Sequence, residues 1–68
     1  MINEKFLQKA VEKVADPRVL VIMASRRSRQ LSRGAKPMVK TMEPEHMNIA
    51  LLEIGEGLMS MEKEKKQI

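Results

Sequence analysis

The residues most able to do chemistry in this sequence form a cluster of four arginines. Arg26, Arg29 and Arg33 recur at spacings that place them on one face of a helix, and Arg27 points about 100° away from its neighbour. The planar guanidinium of arginine suits contact with phosphates or with carboxylates of a protein partner. The same residues could instead form a solvated helix end, where cations complement the helix dipole. Their spacing leaves both interpretations open.

Catalytic and metal chemistry has little support in the sequence. The chain has one histidine, His46, near Glu43, and it has no cysteine, so neither a thiolate zinc site nor a disulfide framework is expected. Gly55 and Gly57 lack the preceding strand and the third glycine of a dinucleotide-binding loop. We therefore expect no catalytic residue, no metal site and no cofactor.

Length and composition exclude several classes of protein. The chain has 68 residues, of which 43% are hydrophobic and one is aromatic. A single core in so short a domain rarely supplies more than about 3–5 kcal/mol. The longest apolar run, 19–24, is far shorter than the roughly 20 residues that span a bilayer, and no stretch resembles a signal peptide. We therefore expect a cytoplasmic protein that depends on a partner.

Charge is distributed unevenly along the chain. Residues 1–40 contain ten Lys or Arg and three acidic residues, a net charge of +7, whereas residues 41–68 contain three and six, a net charge of −3. The two halves sum to the overall charge of +4. This division predicts a basic face directed at an acidic partner.

Apolar periodicity predicts the helices that must position these residues. The first helix covers 3–15 with Asn3 as its N-cap, and the second covers 17–32 with Asp16 as its N-cap. The apolar N-terminal part of the second predicted helix, residues 19–24, could also be a short buried strand. A helix is favoured because one stripe along it continues into the basic C-terminal part. Because residues 19–24 are apolar on every face of the helix, we expect another molecule to cover part of them.

The third predicted helix follows Pro44, after a loop over 33–43. Gly55 and Gly57 weaken a helix by about 1 kcal/mol each, so we expect a closely packed neighbour there, or fraying after Gly55. A heptad-like seam is formed by Met47, Leu51, Ile54, Leu58 and Met61. The segments together predict an all-α fold, a small compact bundle of about three main helices. We expect a single domain over 1–60 and a disordered, charged tail over 61–68.

Two stretches of the chain resemble the omega subunit of bacterial DNA-directed RNA polymerase. The first, residues 8–31, contains AVEKV, an apolar run, and then ASRRSRQ, in which RRSRQ matches the family's R-R-x-R-Q. The second resembles the family's I-A-L-x-E-I-x-x-G motif at Ile49, Ala50, Leu51, Glu53, Ile54 and Gly57. The order and separation of the two stretches also agree, and the resemblance covers roughly residues 8–59.

The resemblance implies a non-catalytic omega-type subunit that binds the largest subunit, β′, and promotes its folding and its assembly with α and β. We expect no membrane contact, because no apolar run is long enough to span a bilayer, and no direct sequence-specific contact with nucleic acid. For Arg26, Arg27 and Arg29 the resemblance implies carboxylates or carbonyls of a protein as partners. The candidate partner-binding residues are Leu20, Ala24, Arg26, Arg27, Arg29, Gln30, Ile49, Ala50, Leu51, Glu53 and Ile54.

One departure limits what the resemblance implies, and one alternative function stays open. Many family members begin with an M-A-R-V-T-like segment that contributes to a guanosine tetraphosphate site shared with β′. This chain begins MINEK, so that site is not carried over. The alternative function is a small basic nucleic-acid- or ribosome-associated module that uses Arg26, Arg27, Arg29 and Arg33. The absence of Trp and Tyr argues against it, because bases stack on aromatic side chains.

Overall fold

The computed structural model describes residues 2–58, which form three α-helices and no strand. Helix α1 spans Glu4–Lys13, α2 spans Pro17–Ser32 and α3 spans His46–Gly55. The all-α prediction is confirmed, and residues 19–24 are helical. The predicted division into 1–60 and 61–68 stays a prediction, and the charged tail lies outside the described residues.

The first two helices begin at the capping residues that the sequence predicts. The Oδ1 atom of Asn3 accepts hydrogen bonds from the backbone N–H groups of Lys5 at 2.9 Å and Phe6 at 3.2 Å. The Oδ1 atom of Asp16 accepts one from the N–H of Arg18 at 2.9 Å. Each side chain satisfies donors that have no partner within their helix. Both predicted N-caps are confirmed.

The second and third helices end in the same glycine motif. Gly34 has φ +106° and Gly57 has φ +76°, the left-handed region that favours glycine. In each case the glycine N–H donates to the carbonyl three residues earlier, and the next N–H donates to the carbonyl five residues earlier, at 3.0–3.1 Å. This is the Schellman arrangement. The prediction that a helical seam continues through Leu58 is wrong, because α3 ends at Gly55; Met61 lies outside the described residues.

Helix α3 lies between α1 and α2 and contacts both, whereas α1 and α2 contact each other little. Seven of its ten residues are buried. Gly55 packs directly against α1, which confirms the predicted close approach. The buried hydrophobic cluster consists of Ala10, Leu20, Met23, Ala24, Ala50, Leu51 and Ile54. Since α3 occupies the centre, residues 2–58 leave the side of α2 that faces away from α3 uncovered.

Candidate functional site

A buried ion pair joins α2 to α3. The Nε atom of Arg27 lies 2.6 Å from Oε1 of Glu53, and Nη2 of Arg27 lies 3.2 Å from Oε2. This is the two-point geometry in which a guanidinium binds a carboxylate most strongly. Arg27 is 8% exposed and Glu53 is 0% exposed. Arg27 faces the core because it follows Met23 by four residues and precedes Leu31 by four, and both of these are buried.

The same two side chains fasten the loop that follows α2. Nη2 of Arg27 donates to the carbonyl of Lys36 at 2.9 Å, and Oε2 of Glu53 accepts from the backbone N–H of Met38 at 2.8 Å. Nη1 of Arg27 also donates to Oε1 of Gln30 at 3.0 Å. A buried charge is tolerated when such hydrogen bonds replace water. The pair therefore holds two helices and one loop in a fixed arrangement.

This geometry places the principal partner of Arg27 within the chain itself. The family resemblance implies a protein carboxylate or carbonyl for Arg27, and the structure supplies the carboxylate of Glu53 and the carbonyl of Lys36. Four of the five N–H donors of the guanidinium are used in these bonds. The reason is the position of Arg27 on α2, since its side chain lies on the stripe that faces α3. That Arg27 also contacts a partner protein stays a prediction.

The other predicted partner-binding residues divide into two groups. The exposed group is on α2 and consists of Arg26, Arg29 and Gln30. The remaining residues are buried within the chain: Leu20, Ala24, Ile49, Ala50, Leu51 and Ile54. The structure thus brings Arg27, Gln30 and Glu53 into one hydrogen-bonded network and leaves Arg26 and Arg29 on the outside of the molecule.

The side of α2 that faces away from α3 combines Arg29, a predicted partner-binding residue, with three residues that were not predicted individually. We define the outer face of α2 as Arg18, Val21, Ile22 and Arg29. Val21 and Ile22 are 62% and 45% exposed, although they belong to the apolar run 19–24. The sequence does indicate that these two side chains are exposed, because both positions fall outside the apolar stripe of α2.

Metal-binding geometry is absent from residues 2–58. No group of three or more His, Asp or Glu side chains is placed to hold a metal ion there. His46 is exposed at the start of α3. Across the same part of the chain, each helix is too short or too polar to cross a membrane.

Comparison with known proteins finds relatives along nearly the whole chain. The sequence model of the family RNA polymerase Rpb6 matches residues 9–61. The DNA-directed RNA polymerase subunit omega of Clostridium botulinum strain Hall is 40% identical over 68 residues, which cover 100% of this chain and 93% of the relative. The chain belongs to the omega family of RNA polymerase subunits. The omega subunit of Trichlorobacter lovleyi is 38% identical over 61 residues, 90% of each chain.

A more distant relative also covers this omega-family chain. The omega subunit of Clostridium botulinum strain Alaska E43 is 33% identical over 63 residues, which cover 93% of this chain and 94% of the relative. No solved structure matches the chain. The resemblance to the omega family is confirmed, and both Arg27 and Glu53 lie within the matched residues.

Proposed function

We propose that this omega-family chain is the non-catalytic small subunit of a bacterial DNA-directed RNA polymerase. It binds the largest subunit, β′, and promotes the folding of β′ and its assembly with α and β. The observation that carries the proposal is similarity over nearly the whole chain to proteins named DNA-directed RNA polymerase subunit omega. Nucleotidyl transfer then belongs to the partner subunits.

The size of the core supports a role in binding. Nine hydrophobic residues are buried across residues 2–58, and the one aromatic residue, Phe6, is only partly buried. Small domains of this kind are marginally stable. A partner that binds only the folded form raises the stability of that form by mass action. Assembly with a larger subunit therefore stabilises a chain that has little core of its own.

We propose that the predicted partner-binding residues act in two ways. Arg26, Arg29 and Gln30 are exposed and contact β′ directly. The six buried apolar residues of the set act indirectly, because they form the core that supports α2. The Arg27–Glu53 pair holds the loop after α2 in the position in which β′ meets it.

Capture of β′ by the purified chain tests the proposal. Affinity-tagged chain is mixed with purified β′ at low and high salt, with the tag alone as control. We expect capture at both salt concentrations, because an apolar interface is screened little by ions. In a second arm, denatured β′ is refolded with and without the chain. We expect more β′ to remain in solution and to assemble with α and β when the chain is present.

The alternative, a basic nucleic-acid- or ribosome-associated module, predicts a different outcome. Arg29 on α2 and Arg33, directly after the end of α2, are both exposed, which is the observation in its favour. Affinity for duplex DNA falls by about 0.9 log unit per log unit of salt for each phosphate neutralised. In a pull-down from native lysate, recovery of ribosomal particles without polymerase subunits, lost steeply as salt rises, would contradict the proposed function.

A further inference from the structure

We propose that the outer face of α2 binds a protein segment that carries branched aliphatic side chains between two carboxylates. The face consists of Arg18, Val21, Ile22 and Arg29, as defined above. This inference rests on the proposed function, since the segment belongs to a subunit of the polymerase. The aliphatic and acidic side chains of the segment are the groups by which the outer face recognises that subunit.

The centre of the outer face is apolar and lacks a cover within the described chain. Val21 and Ile22 are 62% and 45% exposed, whereas Leu20, Met23 and Ala24 beside them are buried against the rest of the bundle. Burial of aliphatic surface is the main driving force of protein association. A phosphate backbone offers no apolar surface to these two side chains, so the centre of the face favours a protein partner.

The ends of the outer face are cationic and are not neutralised by any side chain within residues 2–58. Helix α2 contains no Asp or Glu. The side chains of Arg18 and Arg29 are exposed, and neither makes an ion pair or a hydrogen bond within residues 2–58. Arginine forms two-point contacts with carboxylates, which fix the direction of a bound segment. Charge complementarity therefore requires an acidic residue at each end of the partner segment.

The helix geometry sets the distance between those two acidic residues. Arg29 follows Arg18 by 11 residues, a rise of about 16 Å along α2. The angular positions of the two residues around the helix axis differ by only about 20°. Ile22 lies between them on nearly the same line. A complementary segment therefore has carboxylates about 11 residues apart if it is helical, or about five residues apart if it is extended.

Binding to the polymerase core that lacks omega tests this assignment. Purified core of α, β and β′ is titrated with the wild-type chain, with Ile22→Asp and with the double variant Arg18→Glu/Arg29→Glu. We expect each variant to bind at least about tenfold more weakly than wild type. Ile22→Asp places a charge against aliphatic side chains of the segment, and the double variant places carboxylates against its carboxylates. The matched controls make the corresponding apolar-to-acidic and basic-to-acidic changes on α1, Val11→Asp and Lys5→Glu/Lys13→Glu. These controls should bind within about twofold of wild type, since α1 lies outside the face.

Two further measurements keep the outcomes separate. Circular dichroism and urea unfolding of each variant show whether it is folded. A photo-crosslinking residue at position 22 then identifies what covers the face in the assembled enzyme. Crosslinks to a protein segment with aliphatic residues between carboxylates support the assignment, and crosslinks to nucleic acid or to a segment without carboxylates overturn it. Failure of the wild-type chain to bind the core refutes the proposed function, whereas equal binding of wild type and the folded variants refutes only this surface.

Discussion

A Cβ atom built on Gly55 of α3 would lie 2.8 Å from the Cβ of Lys9 on α1. It would also lie 3.3 Å from the backbone nitrogen of Ala10. Neither neighbour is the far end of a flexible side chain, so the two helices themselves would have to separate. Glycine at this position lets α3 approach α1 more closely than any other residue type allows.

Gly55→Ala is therefore expected to destabilise the chain, although alanine is the better helix former. Overpacking of this kind costs about 1–3 kcal/mol, and the gain in helix propensity offsets up to about 1 kcal/mol of it. Urea unfolding followed by circular dichroism measures the change. Gly55→Ala should lower the free energy of unfolding less in a Lys9→Gly background, which removes the contacted Cβ, than in a Lys9→Ala background, which keeps it. Equal losses in both backgrounds would contradict the contact.

Gly57→Ala is expected to lower the free energy of unfolding for a different reason. Apart from the adjoining residues, a Cβ built on Gly57 would meet no atom of residues 2–58 within 4 Å, but its φ of +76° is disfavoured for residues with a side chain. The left-handed conformation costs such residues about 1–2 kcal/mol. Gly57→Asn should cost less, because asparagine adopts this conformation more readily. If asparagine and alanine destabilise equally in urea unfolding, the backbone conformation is not the cause.

Breaking the Arg27–Glu53 pair from one side is expected to cost more than removing both charges. Arg27→Met or Glu53→Leu alone leaves a buried charge without its partner, at about 3–5 kcal/mol. In so small a domain either single variant should be largely unfolded. The double variant should be more stable than the sum of the single changes predicts, which a double-mutant cycle in urea measures.

Arg29→Met is the matched control for the ion pair. It makes the same substitution on the same helix, at an exposed position. Surface changes of this kind usually alter stability by less than about 0.5 kcal/mol. If Arg29→Met lowers the free energy of unfolding as much as Arg27→Met does, the number of arginines, and not the buried pair, sets the stability.

The N-cap of α1 is expected to contribute measurably to stability. Asn3→Ala removes the acceptor for the N–H groups of Lys5 and Phe6 and should cost about 1 kcal/mol. Asn3→Asp keeps an acceptor and should cost much less. Thermal unfolding and the helical circular dichroism signal of the three proteins provide the comparison. Equal stability of the Ala and Asp variants would mean that the cap hydrogen bonds do not stabilise α1.

A second bond at the start of α1 depends on α3. The Oδ1 atom of Asn48, which is 3% exposed, accepts from the backbone N–H of Asn3 at 2.7 Å. This bond connects residues 45 positions apart. Helical spacing in the sequence predicts Asn3 as a cap, but nothing in the sequence near Asn3 predicts its hydrogen bond to Asn48.

The residue sequence by itself determined the local features of this fold. It predicted the caps at Asn3 and Asp16 and the three helical segments, because each depends on hydrogen bonds within about one turn of the helix or on the period of the apolar residues. The two motif stretches also determined the family, since they identify omega-type chains without any knowledge of packing.

Tertiary structure decided which residues face one another. Arg27 has its partner in Glu53, 26 residues away, and this contact exists only because α2 and α3 pack together. Gly55 is required by the approach of α1. Sequence spacing describes the directions of side chains around one helix axis, whereas these features depend on how separate helices are placed relative to one another.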